Sequence, residues 1–137
     1  LSSELAKLGQ LLTKYESTGL LKASEYDHSK RKYFLLEIKT YTLFTNLKKE
    51  CNYKFNTILY FYDKDHQESL NQGYILDSLV ASRDNIHVLS FDRNFREPAL
   101  ETLKLHYNIT TSQSLIINNE LKKEGLTSLE ELKVILK

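Results

Sequence analysis

Apolar residues crowd between Phe55 and Asp92 in two short runs separated by a longer, periodic one. Phe55 to Tyr62 reads FNTILYFY, β-branched and aromatic, too short for an ordinary helix and closed by the charged turn Asp63-Lys64-Asp65, which predicts a buried strand. Leu70, Tyr74, Ile75, Leu76, Leu79 and Val80 then recur at helical spacing, with Glu68, Asn71, Gln72, Asp77 and Ser78 mostly on the other side. The spacing predicts an amphipathic helix from about His66 to Ser82. Arg83-Asp84-Asn85 breaks the pattern before Ile86 to Phe91, a second run of strand type. Strand, helix and strand in that order imply a right-handed crossover between parallel strands. Ligands of such sheets bind beyond the carboxyl ends of the strands, where a loop enters the next helix, and here that place is Asp63 to Ser69.

The flanking segments are helical first and mixed later. Ser2 or Ser3 caps a first helix whose Leu1, Leu5, Leu8, Leu12 and Tyr15 form a short heptad-like seam ending near Gly19, suited to packing on the parent domain or to self-association. Asp27 or Ser29 caps a longer helix to about Glu50, with Phe34, Ile38 and Tyr41 on one apolar line and Leu36, Leu43 and Leu47 on another. Such a face closes one side of the sheet or pairs with the first helix as a hairpin that docks another protein. Beyond Asp92, Glu97-Pro98 opens a helix with Ala99, Leu100, Leu103, Leu105 and Tyr107 on its buried side and Asn108 at its end. Ser114 to Asn118 is a third strand, Asn118-Asn119 a hairpin turn, and Leu121 to Lys123 a short antiparallel fourth. Gly125 breaks the chain, Thr127 or Ser128 caps, and Leu129, Leu132, Ile135 and Leu136 face inward from a final helix. The expected architecture is α/β: a helical pair over residues 1–51, then a four-stranded mixed sheet flanked by helices over 52–137.

Composition narrows the function classes. A chain of 137 residues, 41% hydrophobic, holds one domain with a core and an appendage. A net charge of +1 from well-mixed acids and bases leaves no electrostatic footprint for nucleic acid or an anionic membrane surface. The one cysteine, Cys51, rules out an intrachain disulfide and a thiolate zinc site built from this chain alone. No apolar run approaches the ~18 residues of a membrane span. The chain opens on Leu1 rather than Met, and the expectation is that a segment, a signal or membrane anchor among the candidates, precedes it. The compartment stays open, with the soluble part of a membrane-anchored or exported protein favoured.

The element order from Phe55 onward resembles the core of the thioredoxin family with its first strand and helix replaced by helices. ILYFYDKDHQESLNQGYILDSL resembles that family's strand, active-site turn and long helix, SQSLIIN its cis-proline turn and next strand, and NNELKKEGLTSLEELKVIL its final hairpin and helix. The resemblance covers roughly 80 residues and is closest to small members with an N-terminal helical extension. Where the family reads CxxC this chain reads HQES, so His66 falls on the first cysteine and Ser69 on the second, while Gln113 falls on the cis-proline. The resemblance thus implies the fold without its redox pair, and the Ser112–Gln113 bond is expected to be trans. A helix N-terminus stabilises a thiolate, but His66 forms no disulfide and the Ser69 hydroxyl has no identifiable base to activate it. By the family's pattern, the surface of Asp65, His66, Gln113, Ser114 and Tyr62 is where an extended polypeptide or a partner protein binds.

Other candidates are weaker. Asp63, Asp65, His66 and Glu68 could suit a divalent ion, yet acidic residues here are what helix capping and the dipole favour; no metal and no cofactor is expected. Cys51 reads as a small buried hydrophobe, with a lone-thiol oxidoreductase as the rival reading. Asn108-Ile109-Thr110 matches the glycosylation acceptor pattern, which is short and common. The expected function is a redox-inactive, non-enzymatic binding or structural module. The alternatives are thiol chemistry at Cys51 and a scaffold that dimerises through its N-terminal helices.

Overall fold

The computed structural model describes residues 23–51, 54–110 and 113–136. Two compact units divide between Cys51 and Asn52. The first contains helix α1 (Ala23–Cys51); the first helix, expected from Ser2 or Ser3 to near Gly19, lies outside the described residues, as does the Cys51 side chain. α1 is already helical at Ala23, so neither Asp27 nor Ser29 caps it. Its buried stripe is Lys30, Phe34, Glu37 and Thr40, spaced by four, three and three as one helix face requires. Of the two apolar lines read from the sequence, only Phe34 is fully buried, and Leu43 is exposed. The stripe carries its polar members by local contacts: Lys30 Nζ lies 5.9 Å from the centre of the Phe34 ring, and Thr40 Oγ1 donates to the Leu36 carbonyl at 2.9 Å. Lys48 and Lys49 sit in the last turn, where the helix dipole favours positive charge.

The second unit runs β1 (Asn56–Tyr62), α2 (Gln67–Ser82), β2 (Ile86–Asp92), α3 (Pro98–His106), β3 (Ser114–Ile117), β4 (Leu121–Glu124) and α4 (Leu129–Ile135). Its sheet has the order β2-β1-β3-β4, with β1 parallel to β2 and antiparallel to β3, and β3 antiparallel to β4. The chain is therefore α/β with a four-stranded mixed sheet flanked by helices, compatible with a thioredoxin-like fold. β1 is central and five of its seven residues are buried, which is why its sequence is an unbroken apolar run rather than an alternating one. On one face Ile58, Tyr60, Leu115 and Ile117 pack with Leu76 and Leu79 of α2 and Leu132 and Leu136. On the other, Phe61 stacks on Phe91 with ring centres 5.4 Å apart.

The turns follow their residue types. Asn118 and Asn119 both take positive φ, 53° and 63°, a conformation Asn tolerates better than most residues. The Asn118 side chain then fastens the hairpin to β1 by accepting from the Thr57 N–H at 3.0 Å and donating to Asn56 Oδ1 at 3.0 Å. Gly125 takes φ 75° after β4, where a side chain would be strained. Ser128 caps α4, its hydroxyl accepting from the Glu131 N–H at 3.2 Å. α3 opens at Glu97-Pro98 as expected, but of its apolar residues Leu100 is buried and Leu105 is 83% exposed.

α2 buries Leu76 and Leu79 of the face its hydropathy predicts and adds two polar residues to it. Ser69, Gln72, Leu76 and Leu79 are buried, while Leu70, Tyr74 and Val80 are 50%, 61% and 42% exposed. Two hydrogen-bonding side chains anchor its first turns and set this rotation. Gln72 Nε2 donates to the Thr127 carbonyl at 3.1 Å and Gln72 Oε1 accepts from the Thr127 N–H at 2.7 Å, a reciprocal buried pair that satisfies both amide groups.

Candidate functional site

β1 and β2 end side by side, and β3 begins beside them. The register pairs Tyr62 with Asp92 and Phe61 with Ser114, so the residues just beyond, Asp63, Arg93 and Gln113, gather at one end of the sheet, where α2 also starts. Asp63 is the hub. Its Oδ2 receives Arg93 Nη2 at 3.1 Å, with the two side chains only 9% and 14% exposed. Its Oδ1 accepts from the Asp65 N–H at 3.1 Å, and its own N–H donates to Ser69 Oγ at 2.9 Å. Arg93 reaches on to the Thr110 carbonyl with Nη1 at 3.0 Å, donates its backbone N–H to the Tyr62 carbonyl at 2.9 Å, and offers its own carbonyl to Lys104 Nζ at 2.7 Å.

These contacts set the electrostatics. Burial, the largest single influence on Asp63, disfavours its charged form. The Asp65 N–H, the Asn94 side chain and the charges of His66 and Arg93 together outweigh it and hold the carboxyl below its ordinary value. Tyr60, beneath, donates its hydroxyl to the Ser69 carbonyl; burial pushes its phenol up to about 12, against a smaller opposing pull from the Ser69 side chain.

The residues singled out from sequence divide into exposed and buried groups. Asp65 and His66 are exposed at the entrance to α2. His66 occupies the N-cap position, but its side chain makes no capping hydrogen bond and stands 68% exposed, with Nε2 3.7 Å from Asp63 Oδ2. The capping expected of the acidic residues here is thus replaced: Asp63 closes a turn on the Asp65 N–H. Ser69, which the thioredoxin resemblance sets against the second cysteine, is buried with its hydroxyl and carbonyl both engaged, which makes it a pin between α2 and β1. Tyr62 is half-buried, its ring 5.6 Å from that of Tyr60. Ser114 is buried in the pair with Phe61.

Gln113 differs from all of these. It is 6% exposed, its carbonyl accepts from the Gly125 N–H at 3.0 Å, and neither Oε1 nor Nε2 has a hydrogen-bond partner among the described residues. A buried primary amide left unsatisfied costs about 1–3 kcal/mol, so it asks for an explanation. The Ser112–Gln113 bond begins outside the described residues. Among those described, no three His, Cys, Asp or Glu side chains converge to hold a metal ion, and no helix is long and apolar enough to cross a membrane.

Sequence reading missed Arg93 and Gln72. Arg93 had a usable signal: once β1 and β2 are parallel and in register, the residues following each strand are neighbours, and an aspartate and an arginine stand there. Gln72 had none, since a polar residue on an amphipathic helix reads as solvent-facing.

No family model matches the chain, and no curated protein matches it. Among solved structures it is similar to one titled "Structure of a malarial protein", with a TM-score of 0.51 and 20% identity over 60% of this chain and 93% of that one. At that identity the likeness concerns the fold alone.

Proposed function

We propose that this chain is a thioredoxin-like domain that has given up thiol–disulfide chemistry and holds an extended polypeptide segment of a partner protein beside Asp65, His66, Gln113 and Ser114. The observation that carries this reading is the unpartnered amide of Gln113. A peptide group offers one acceptor and one donor, and a primary amide offers the complementary donor and acceptor, so a single backbone unit satisfies both of its orphaned atoms once the Gln113 side chain, closed to solvent here, turns outward. Loss of redox chemistry is supported by the residues themselves. Neither the imidazole of His66 nor the engaged hydroxyl of Ser69 forms a disulfide, and the one thiol of the chain, Cys51, ends α1 in the other unit. The fixed Asp63–Arg93 pair supports a preformed rather than a mobile surface, which lowers the ordering cost of binding.

The test is a titration of the isotope-labelled chain with a thiol-blocked unfolded polypeptide, reduced and alkylated lysozyme, followed by NMR. The expected result is saturable movement of the Gln113 side-chain amide together with the Asp65, His66 and Ser114 backbone signals, with a Kd on the order of 100 µM. Signals that stay fixed at millimolar probe overturn the proposal.

A further inference from the structure

A surface helix ordinarily turns its apolar residues to the core and its polar ones to water, and α2 follows that rule only in part. Leu76 and Leu79 are buried, but Leu70, Tyr74 and Val80 are exposed. At about 100° per residue, Leu70, Gly73, Tyr74, Asp77, Val80 and Ala81 fall within about one third of the helix circumference, along a stripe about 16 Å long. None of the six is buried. Beside them a groove of about 110 Å³ opens, lined by Gly73, Leu76, Asp77, Val80 and Val88. Nothing lies within 4 Å of where a Gly73 side chain would stand, so an incoming group can approach the backbone of α2 there.

Asp77 is the one charged residue of the stripe and of the groove. It is exposed, and no base stands three or four residues from it along the helix. Among the described residues no ion pair or hydrogen bond engages its carboxylate. It also lies well past the first turn of α2, where the helix dipole would favour an acid. The surface is therefore apolar with a single uncompensated negative charge at its middle.

We infer that this stripe docks a helix of a partner protein that carries a lysine or arginine among apolar residues spaced three and four apart. This surface differs from the one proposed beside Gln113 and does not depend on it. The apolar residues of the incoming helix cover Leu70, Tyr74 and Val80, while its cation reaches Asp77 with the aliphatic stem laid over apolar surface. Charge selects the partner, because an acidic helix would meet Asp77 with like charge. A helix fits because α2 closes its own hydrogen-bond ladder and offers side chains but no main-chain partners, so the occupant must satisfy its backbone internally.

The probe is a short synthetic helix of leucine and lysine, titrated into the isotope-labelled full chain and followed by NMR, with a leucine–glutamate helix of the same pattern as control. The lysine helix moves the Gly73, Tyr74, Asp77 and Val80 signals saturably, with a Kd on the order of 100 µM, and the glutamate helix binds at least about tenfold more weakly. Asp77→Lys, at an exposed position, reverses that preference. A neutral gadolinium chelate added to the chain alone broadens the Leu70, Tyr74 and Val80 signals. Equal binding of the two helices, a preference that survives Asp77→Lys, or shifts centred on Gln113 overturns the inference. So does shielding of Leu70, Tyr74 and Val80 from the chelate in the chain alone, which assigns the stripe to a second copy or to another segment of this chain.

Discussion

Arg93 Nη2 sits 3.1 Å from Asp63 Oδ2, in a pair almost closed to solvent, and it joins the ends of two parallel strands that are 30 residues apart in the chain. Removing one partner leaves the other charge buried without compensation. Arg93→Met is therefore expected to cost about 3 kcal/mol in urea unfolding at neutral pH. The double variant with Asp63→Asn is expected to cost less than Arg93→Met alone, because it leaves no orphaned charge. A double variant that loses at least as much as the single one contradicts this coupling.

The same carboxylate makes the domain acid-sensitive. A folded-state pKa below the unfolded value, about 3.9, contributes stability that is present above that value and is lost as pH falls through the folded one. Urea midpoints are expected to fall below about pH 4, and Asp63→Asn to flatten that slope. Parallel slopes for the two chains would remove Asp63 from the explanation.

At the alkaline end the sign reverses. The Tyr60 phenol is raised to about 12, so its contribution is intact below the unfolded value of about 10 and is lost as pH rises toward the folded one. The loss amounts to up to about 2 kcal/mol across that window. Tyr60→Phe is expected to give up about 1 kcal/mol at neutral pH with the hydrogen bond to Ser69, and to abolish the alkaline loss. Tyrosinate absorbance checks it directly: one phenol should ionise last, and that late step should vanish in the variant.

Much of the fold was legible because the local signals and the packing agree. The apolar run of β1 is unbroken because β1 is buried on both faces, Asn118-Asn119 supplies the left-handed turn, and Ser128 caps where a cap was expected. Apolar spacing marked the buried face of the helices only in part, naming Leu76 and Leu79 of α2 and Phe34 of α1 but not their buried polar neighbours. In α2 the hydrogen bonds of Ser69 and Gln72 settle the rotation, leaving Leu70 and Tyr74 outside. In α1 Lys30 and Glu37 are inside and Leu43 outside. At the site, the resemblance to the thioredoxin family implied that Asp65, His66, Gln113 and Ser114 share one end of the sheet. The Asp63–Arg93 pair depends on strand register, which no local window contains.

Replacing the two residues that the thioredoxin resemblance sets against its cysteines tests the proposed absence of thiol chemistry. The unsubstituted chain is expected to be inert in a disulfide-reduction assay, and His66→Cys with Ser69→Cys to gain measurable turnover. Ser69 is buried and holds the Asp63 N–H, so the variant should also lose about 1 kcal/mol of stability. Turnover by the unsubstituted chain, lost on Cys51→Ser, would instead assign the chemistry to Cys51.

The sharpest measurement is on Gln113→Leu, read twice, for stability and for binding of reduced and alkylated lysozyme. If the buried amide is kept for a polypeptide ligand, an apolar side chain of similar size relieves an unsatisfied group, so the variant gains about 1 kcal/mol in urea unfolding while probe binding falls at least about tenfold. A variant that loses stability and binds the probe as the unsubstituted chain does contradicts the proposal, and assigns the Gln113 amide to the interior of the fold.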